Sequence, residues 1–185
     1  MYKRQELILR LSQRFPRHFF FTTSYLTTQQ VTDKQLPPNA GVIVSAINFP
    51  LRRIDGKDAK EKAFAGQLEQ WKNVTKNIYI WDYINNFDDY LTPMPILKIA
   101  RQRLQFFKQH GASGIFFNGS GYSYSSFDEM RTFVLSALLI NPELSVDNLT
   151  ASFFNQEYPA AKKWLYDYYL SLIHISEPTR PRLIS

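Results

Sequence analysis

The sequence predicts an α/β protein whose strands run parallel. Two observations carry that expectation. Four runs rich in β-branched and aromatic residues, "HFFFTTSYL" (18–26), "GVIVSAINF" (41–49), "NIYIWDYIN" (77–85) and "GASGIFFNGS" (111–120), are each bounded by turn formers. Helical apolar spacing alternates with three of them. Strand, helix, strand, helix calls for crossover connections, and crossovers join parallel strands. Four such strands make either half of a (β/α)8 barrel or a small doubly wound sheet.

Each element has its own reason. Residues 2–15 read as a helix before the first strand. The segment "TTQQVTDKQLPPNA" has no helical stripe and reads as a long loop closed by Pro37–Pro38. In 60–75, Phe64, Leu68 and Trp71 share one stripe, and in 95–109 Leu97, Ala100, Leu104 and Phe107 do the same. Gly111 follows as the C′ stop. In 126–140, Met130, Val134 and Ala137 repeat the spacing. There "SFDE" reads as a capping box, with Ser126 as N-cap and Glu129 at N3. Beyond Pro142 two more helices are expected, the first capped by Asp147 and the second with Pro159 at N1. Helical periodicity stops near Leu170, and Pro178 and Pro181 prevent its resumption. The expected organisation is a partial barrel over 1–142, helices packing on it over 143–170, and a disordered tail over 171–185.

Composition excludes several classes. Apolar residues at 44% and aromatics at 16% are too many for a disordered chain. The absence of cysteine rules out a disulfide framework and thiolate chemistry. The formal charge of +6 is spread over Arg52–Arg53, Lys60, Lys62, Arg101, Arg103 and Lys162–Lys163. A nucleic-acid surface would concentrate it, so no nucleic-acid partner is expected. The apolar runs are too short to span a membrane, and "MYKRQELILRLSQRF" carries charges where an export signal needs an apolar stretch.

Chemistry in parallel α/β folds sits at the carboxyl ends of the strands. Those ends carry Ser24–Tyr25, Asn48, Trp81–Asp82–Tyr83 with Asn85–Asn86, and Asn118–Gly119–Ser120 with Tyr122 and Tyr124. Sugar hydroxyls both donate and accept, which Asn, Asp and Ser can match, and sugar C–H faces lie against aromatic rings. The expected substrate-binding residues are Trp81, Asp82, Tyr83, Asn85, Asn118, Ser120 and Tyr122, with Asp82 the best single catalytic candidate. Structural roles stay open beside these. Asp82 can bond loop N–H groups, and Trp81 and Tyr83 can pack under helices. Ile78, Ile80 and Asp82 share one strand face while Tyr79, Trp81 and Tyr83 share the other. If the isoleucines face the helices, Asp82 points away from the barrel mouth unless a bulge re-aims it. Asp88, Asp89 and Asp128 are explained by solvation or by a helix dipole. No metal site and no cofactor is expected. "NGSGYS" lacks the third glycine of a dinucleotide turn. His18 and His110 sit at a strand start and a helix end, not in a triad.

From about His18 to Tyr169, and most plainly over Ile78–Leu144, the chain resembles a known bacterial family, domain of unknown function 4838. The features that carry the resemblance are Trp81–Tyr83, Asn86–Phe87, Pro93 and Pro95, "G-x-x-G-I-F" at Gly111–Phe116, "NGS" at Asn118–Ser120, "SFDEMRTFV", and the "LL-x-NP" segment around Asn141–Pro142. "FFNQEYPAAKKWLYDYY" is similar to the family's later helix. Two positions depart from the pattern: Ile140 stands where Trp is expected and Pro159 where Gly is expected. The resemblance implies the C-terminal half of a (β/α)8 TIM barrel followed by extra helices, akin to α-glucuronidase and hexosaminidase barrels. It assigns no catalytic residue. In related barrels the key acid follows an earlier strand.

From this follow the functional expectations. The chain reads as a fragment of a carbohydrate-active, glycoside-hydrolase-like protein that recognises an oligo- or polysaccharide at its strand ends. The alternative is a non-catalytic glycan-binding or scaffolding barrel. The whole protein is expected in the periplasm, at the cell surface or secreted, in a bacterium. Hydrolysis needs two carboxyl groups, and the second is expected in the missing N-terminal half of the barrel. The tail "LSLIHISEPTR" resembles translated sequencing-adapter readthrough, so residues past Leu170 are set aside as non-native.

Overall fold

The computed structural model describes residues 2–31, 34–51, 54–85, 87, 94–119 and 126–176. Ser120 and Tyr122 lie outside the described residues, as do Arg52–Arg53, Asn86, Asp88, Asp89, Pro93 and Tyr124. The chain divides into two compact units, 1–84 with 105–118, and 85–104 with 119–185.

The first unit holds a four-stranded sheet. Helix α1 (Tyr2–Arg14) precedes β1 (Phe20–Ser24). A 3-10 turn (Leu26–Thr28) and a loop lead to β2 (Ala40–Ser45), then α2 (Ala59–Lys72) and β3 (Ile78–Tyr83). Helix α3 (Leu97–Gln109) starts in the second unit and ends in the first, ahead of β4 (Gly114–Asn118). The strand order is β1-β2-β3-β4 and every neighbouring pair is parallel. This is an α/β fold whose strand arrangement is consistent with half a (β/α)8 barrel, one of the two arrangements the alternation of patterns allows. The β-branched run of β2 makes it the most buried strand, with only Ile43 partly open.

One face of the sheet packs on helices. Val42, Val44, Ile78 and Ile80 form a single core with Phe64, Leu68 and Trp71 of α2 and Phe107 of α3. The predicted stripe of α2 is thus its buried face, and Glu61 extends it by one turn. Phe49, Phe64 and Phe107 meet at centroid distances of 5.1–5.7 Å. Each such ring contributes about 1.5–3 kcal/mol by leaving water. At the amino ends of the strands, the Asn77 side-chain amide donates to the Pro38 and Ala40 carbonyls (2.8 and 3.0 Å), and the Asn39 amide donates to those of Ser12 and His18 (3.1 and 3.0 Å). Gly111 has φ +85°, as a C′ stop after α3 requires.

The second unit contains the start of α3 with α4 (Asp128–Ile140), α5 (Val146–Glu157) and α6 (Lys162–Ser176). Several expected helix ends differ. Phe127 precedes α4 in the left-handed region (φ 57°, ψ 38°) with no side-chain cap, so Ser126 is not the N-cap. The reason is aromatic packing: the Phe127 ring meets Phe154, Tyr168 and Tyr169 at 5.7–5.9 Å. Helix α5 is capped by Ser145, whose hydroxyl accepts from the Asn148 N–H at 3.3 Å, and Asp147 sits inside the first turn. Pro159 lies in the turn before α6, not at its first position. Helix α6 runs to Ser176, past Leu170, with Leu172 and Ile173 half-buried. Arg101 holds the α4–α5 turn by donating to the Pro142 carbonyl at 3.1 Å.

Candidate functional site

The candidate site lies at the carboxyl ends of the strands in the first unit, on the face turned away from the core. Parity fixes which side chains it receives. Val42 and Val44 face α2, so Ile43 and Ser45 take the other side. Ile78 and Ile80 face α2, so Tyr79, Trp81 and Tyr83 take the other side. The register places Ser45 beside Trp81, Trp81 beside Phe116, and Tyr83 beside Asn118.

Three rings line up along this rim. Tyr25, just past β1, has its centroid 5.8 Å from that of Trp81 at an interplanar angle of 35°. Trp81 stacks on Tyr83 at 5.7 Å and 22°. The Tyr25 position is set by the turn behind it. Its N–H donates to the Thr28 hydroxyl at 3.1 Å, that hydroxyl donates to the Thr23 carbonyl at 3.0 Å, and Leu26 takes a left-handed φ of 45°. The Ser45 and Tyr83 hydroxyls approach to 3.4 Å, and the Ile47 N–H donates weakly to Ser45 Oγ at the same distance. The Trp81 indole N–H is buried without a hydrogen-bond partner among the described residues. It is a donor inside an aromatic cluster, a group that binds an acceptor readily when one arrives.

Asp82 is elsewhere. Strand β3 pairs regularly through Asp82↔Phe117 and Tyr83↔Asn118, and the Ile84 N–H continues the ladder to the Asn118 carbonyl at 3.1 Å. No bulge interrupts that register, so Asp82 stays on the Ile78–Ile80 face, fully buried, with its carboxylate accepting the Tyr83 N–H at 2.8 Å. The structure does not bring it onto the ring face with Trp81 and Tyr83. Asn85 is buried in the second unit with Nδ2 unpartnered among the described residues. Asn118 is half-buried beside Tyr83. Ser45 was missed in the sequence, although the alternation Val42, Ile43, Val44, Ser45 signals it once Val42 and Val44 are assigned to the core. Ser24 has the opposite parity and is fully buried. It accepts from the Gln67 side chain of α2 at 3.0 Å, a packing role.

Other features are structural. A cleft of about 410 Å3 opens at the amino ends of β2 and β3, lined by Gln35, Pro38, Lys72, Lys76 and Asn77 among others. It lies at the wrong end of the strands for the usual site of a parallel fold. Two of its polar groups are also engaged, Asn77 with the Pro38 and Ala40 carbonyls and Lys72 with Glu69. In the second unit, burial lowers the pKa of Arg131 and pushes the Tyr169 phenol up to about 12. Among the described residues no group of three His, Cys, Asp or Glu side chains could hold a metal ion, and no helix is long and apolar enough to cross a membrane.

Fold and rim together define a parallel α/β protein that presents aromatic, hydroxyl and amide groups at its strand ends. The sequence model of the family described as domain of unknown function DUF4838 matches residues 6–170, and the chain belongs to that family. No curated protein and no solved structure matches the chain.

Proposed function

We propose that the rim formed by Tyr25, Ser45, Trp81, Tyr83 and Asn118 recognises an oligo- or polysaccharide, as part of a glycoside-hydrolase-like TIM barrel. The observation that carries this reading is the run of three rings flanked by hydroxyl and amide groups on one sheet face. Pyranose rings offer apolar C–H faces with hydroxyls at their edges, and this arrangement has a partner for each. A bacterial periplasmic, cell-surface or secreted setting fits such a ligand.

Recognition is favoured over catalysis for these residues by a specific observation. The described strand residues on the ring face include no carboxylate, and Asp82 is turned to the core. Hydrolysis needs two carboxyl groups about 5–5.5 or 6.5–9.5 Å apart, so a hydrolytic barrel would draw both from beyond these strands. The test is a glycan array read with wild-type protein, Trp81→Ala and Tyr83→Phe. Trp81→Ala should weaken binding about 10-fold or more. Tyr83→Phe, which keeps the ring and removes one hydroxyl, should cost about 0.5–1.5 kcal/mol of binding. Folded wild-type protein that binds no glycan at millimolar concentration contradicts the proposal.

A further inference from the structure

One rim residue carries a chemistry of its own. The chain has ten asparagines, and Asn118 alone is followed by a glycine. The pair matters because the backbone nitrogen of a glycine has no Cβ beside it to obstruct approach to a side-chain carbonyl. Other asparagine side chains are held in place. The Asn39 amide donates to the Ser12 and His18 carbonyls at 3.1 and 3.0 Å, and that of Asn77 to the Pro38 and Ala40 carbonyls at 2.8 and 3.0 Å. Asn141 Oδ1 accepts the Glu143 N–H at 3.0 Å, and Asn155 Oδ1 accepts from Lys162 Nζ at 2.7 Å. Among the described residues no hydrogen bond holds the Asn118 side chain. It stands half-buried on the ring face, opposite Tyr83 in the register. Strand β4 ends at Asn118, and Gly119 lies past it, also half-buried. The carbonyl and the N–H of a trans peptide point in opposite directions. The Asn118 carbonyl turns to β3 and accepts the Ile84 N–H at 3.1 Å. The Gly119 N–H turns away from β3 and has no acceptor among the described residues. One hydrogen bond therefore holds the peptide plane that must turn for the Gly119 nitrogen to meet the side chain.

We propose that Asn118–Gly119 is a self-modifying site, at which the rim amide is converted to a carboxylate. The Gly119 backbone nitrogen, its proton taken by hydroxide, attacks Asn118 Cγ. The new N–C bond closes a five-membered imide, and the side-chain nitrogen leaves as ammonia. Water then opens the imide at either carbonyl, giving aspartate or isoaspartate. The sum is amide plus water to carboxylic acid plus ammonia, with nothing oxidised or reduced. The acid ionises well below neutral pH, so the rim gains a negative charge beside Tyr83 and loses the donors of the amide. The isoaspartate product also moves a side-chain carbon into the backbone at the end of β4. The conversion stands on the Asn118–Gly119 geometry, and only its effect on binding rests on the rim being the glycan site.

Peptide mapping after incubation of the folded chain at neutral and mildly alkaline pH tests it. The tryptic peptide from Gln109 to Arg131 holds Asn118 as its only asparagine. That peptide should gain the mass difference of OH for NH2 and yield an isoaspartyl form. Its conversion should be at least 10-fold faster than at any other asparagine and should speed up as pH rises. Gly119→Ala, which puts a Cβ beside the attacking nitrogen, should slow it at least 10-fold. An Asn118 that stays an amide in the folded chain while converting in urea would overturn the inference, as would a rate no faster than at the other asparagines. Should Gly119→Ala fail to fold, the comparison among wild-type peptides decides. Glycan binding is a separate readout: aged protein and Asn118→Asp should both bind more weakly than fresh protein. Equal binding by fresh and fully converted protein would overturn the effect on recognition, and fresh protein that binds no glycan would count against the rim reading alone.

Discussion

Gly41 and Gly114 show how much a single missing side chain decides. Both admit rings on the face turned away from the core, but they differ in what a methyl group would strike. At Gly114 the obstacle is the Tyr79 ring at 2.6 Å, which can tilt; at Gly41 it is the Asn77 backbone carbonyl at 2.3 Å, which is held in the sheet. Gly114→Ala should therefore cost about 1–3 kcal/mol, the usual penalty of overpacking, and Gly41→Ala more. Urea denaturation of the two variants checks the order. Asp82 belongs to the same scale. Its buried carboxylate accepts the Tyr83 N–H, so Asp82→Asn should lower stability by about 1–3 kcal/mol while glycan binding through the rings persists. Loss of binding without loss of stability would return Asp82 to the site. Parity ties its orientation to that of Ile78 and Ile80, and which way those two face was not readable from the sequence. Whether a bulge re-aimed it was not readable, because that depends on the pairing of β3 with β4.

At the scale of elements, the apolar stripes were legible because helical spacing reports burial directly. Phe64, Leu68 and Trp71 on α2, and Leu97, Ala100, Leu104 and Phe107 on α3, are all buried. The helix ends were less so. "SFDE" satisfies the capping pattern, yet Phe127 turns left-handed to bury its ring against Phe154 and Tyr169, and tertiary packing overrides the local signal. Ser145 caps α5 instead, in a place where Asp147 looked equally suitable. Ser145→Ala should lower the melting free energy by about 1 kcal/mol, whereas Ser126→Ala should change it little. Equal losses in thermal denaturation would reinstate the capping box. On α2, Phe64→Ala should cost about 3–5 kcal/mol, since it opens the junction of Phe49, Phe64 and Phe107.

For the whole molecule, the alkaline limb of stability carries a signature. The Tyr169 phenol is raised from 10 to about 12 by burial. Its folded form holds the proton more tightly than the unfolded chain does. Its contribution is complete below about pH 10 and is lost as pH climbs from 10 to 12, up to roughly 2–3 kcal/mol. Arg131, lowered by burial, acts in the opposite sense. Tyr169→Phe should flatten the fall between pH 10 and 12 relative to wild type, and chemical denaturation at stepped pH reads it. The parallel direction of the strands followed from the alternation of strand and helix patterns, whereas their order β1-β2-β3-β4 did not. The rim was only half legible: Trp81, Tyr83 and Asn118 stand on it, Ser45 is readable only once Val42 and Val44 are assigned to the core, and the exact place of Tyr25 emerges only with the strands in register.

The most direct test is affinity electrophoresis through gels containing soluble plant or bacterial polysaccharides, run with wild type, Trp81→Ala and Tyr25→Ala. Wild type should be retarded by at least one polysaccharide, and both variants should migrate as in an empty gel while keeping the wild-type circular dichroism. Retardation that is the same for all three proteins would place the binding surface away from these rings and contradict the account.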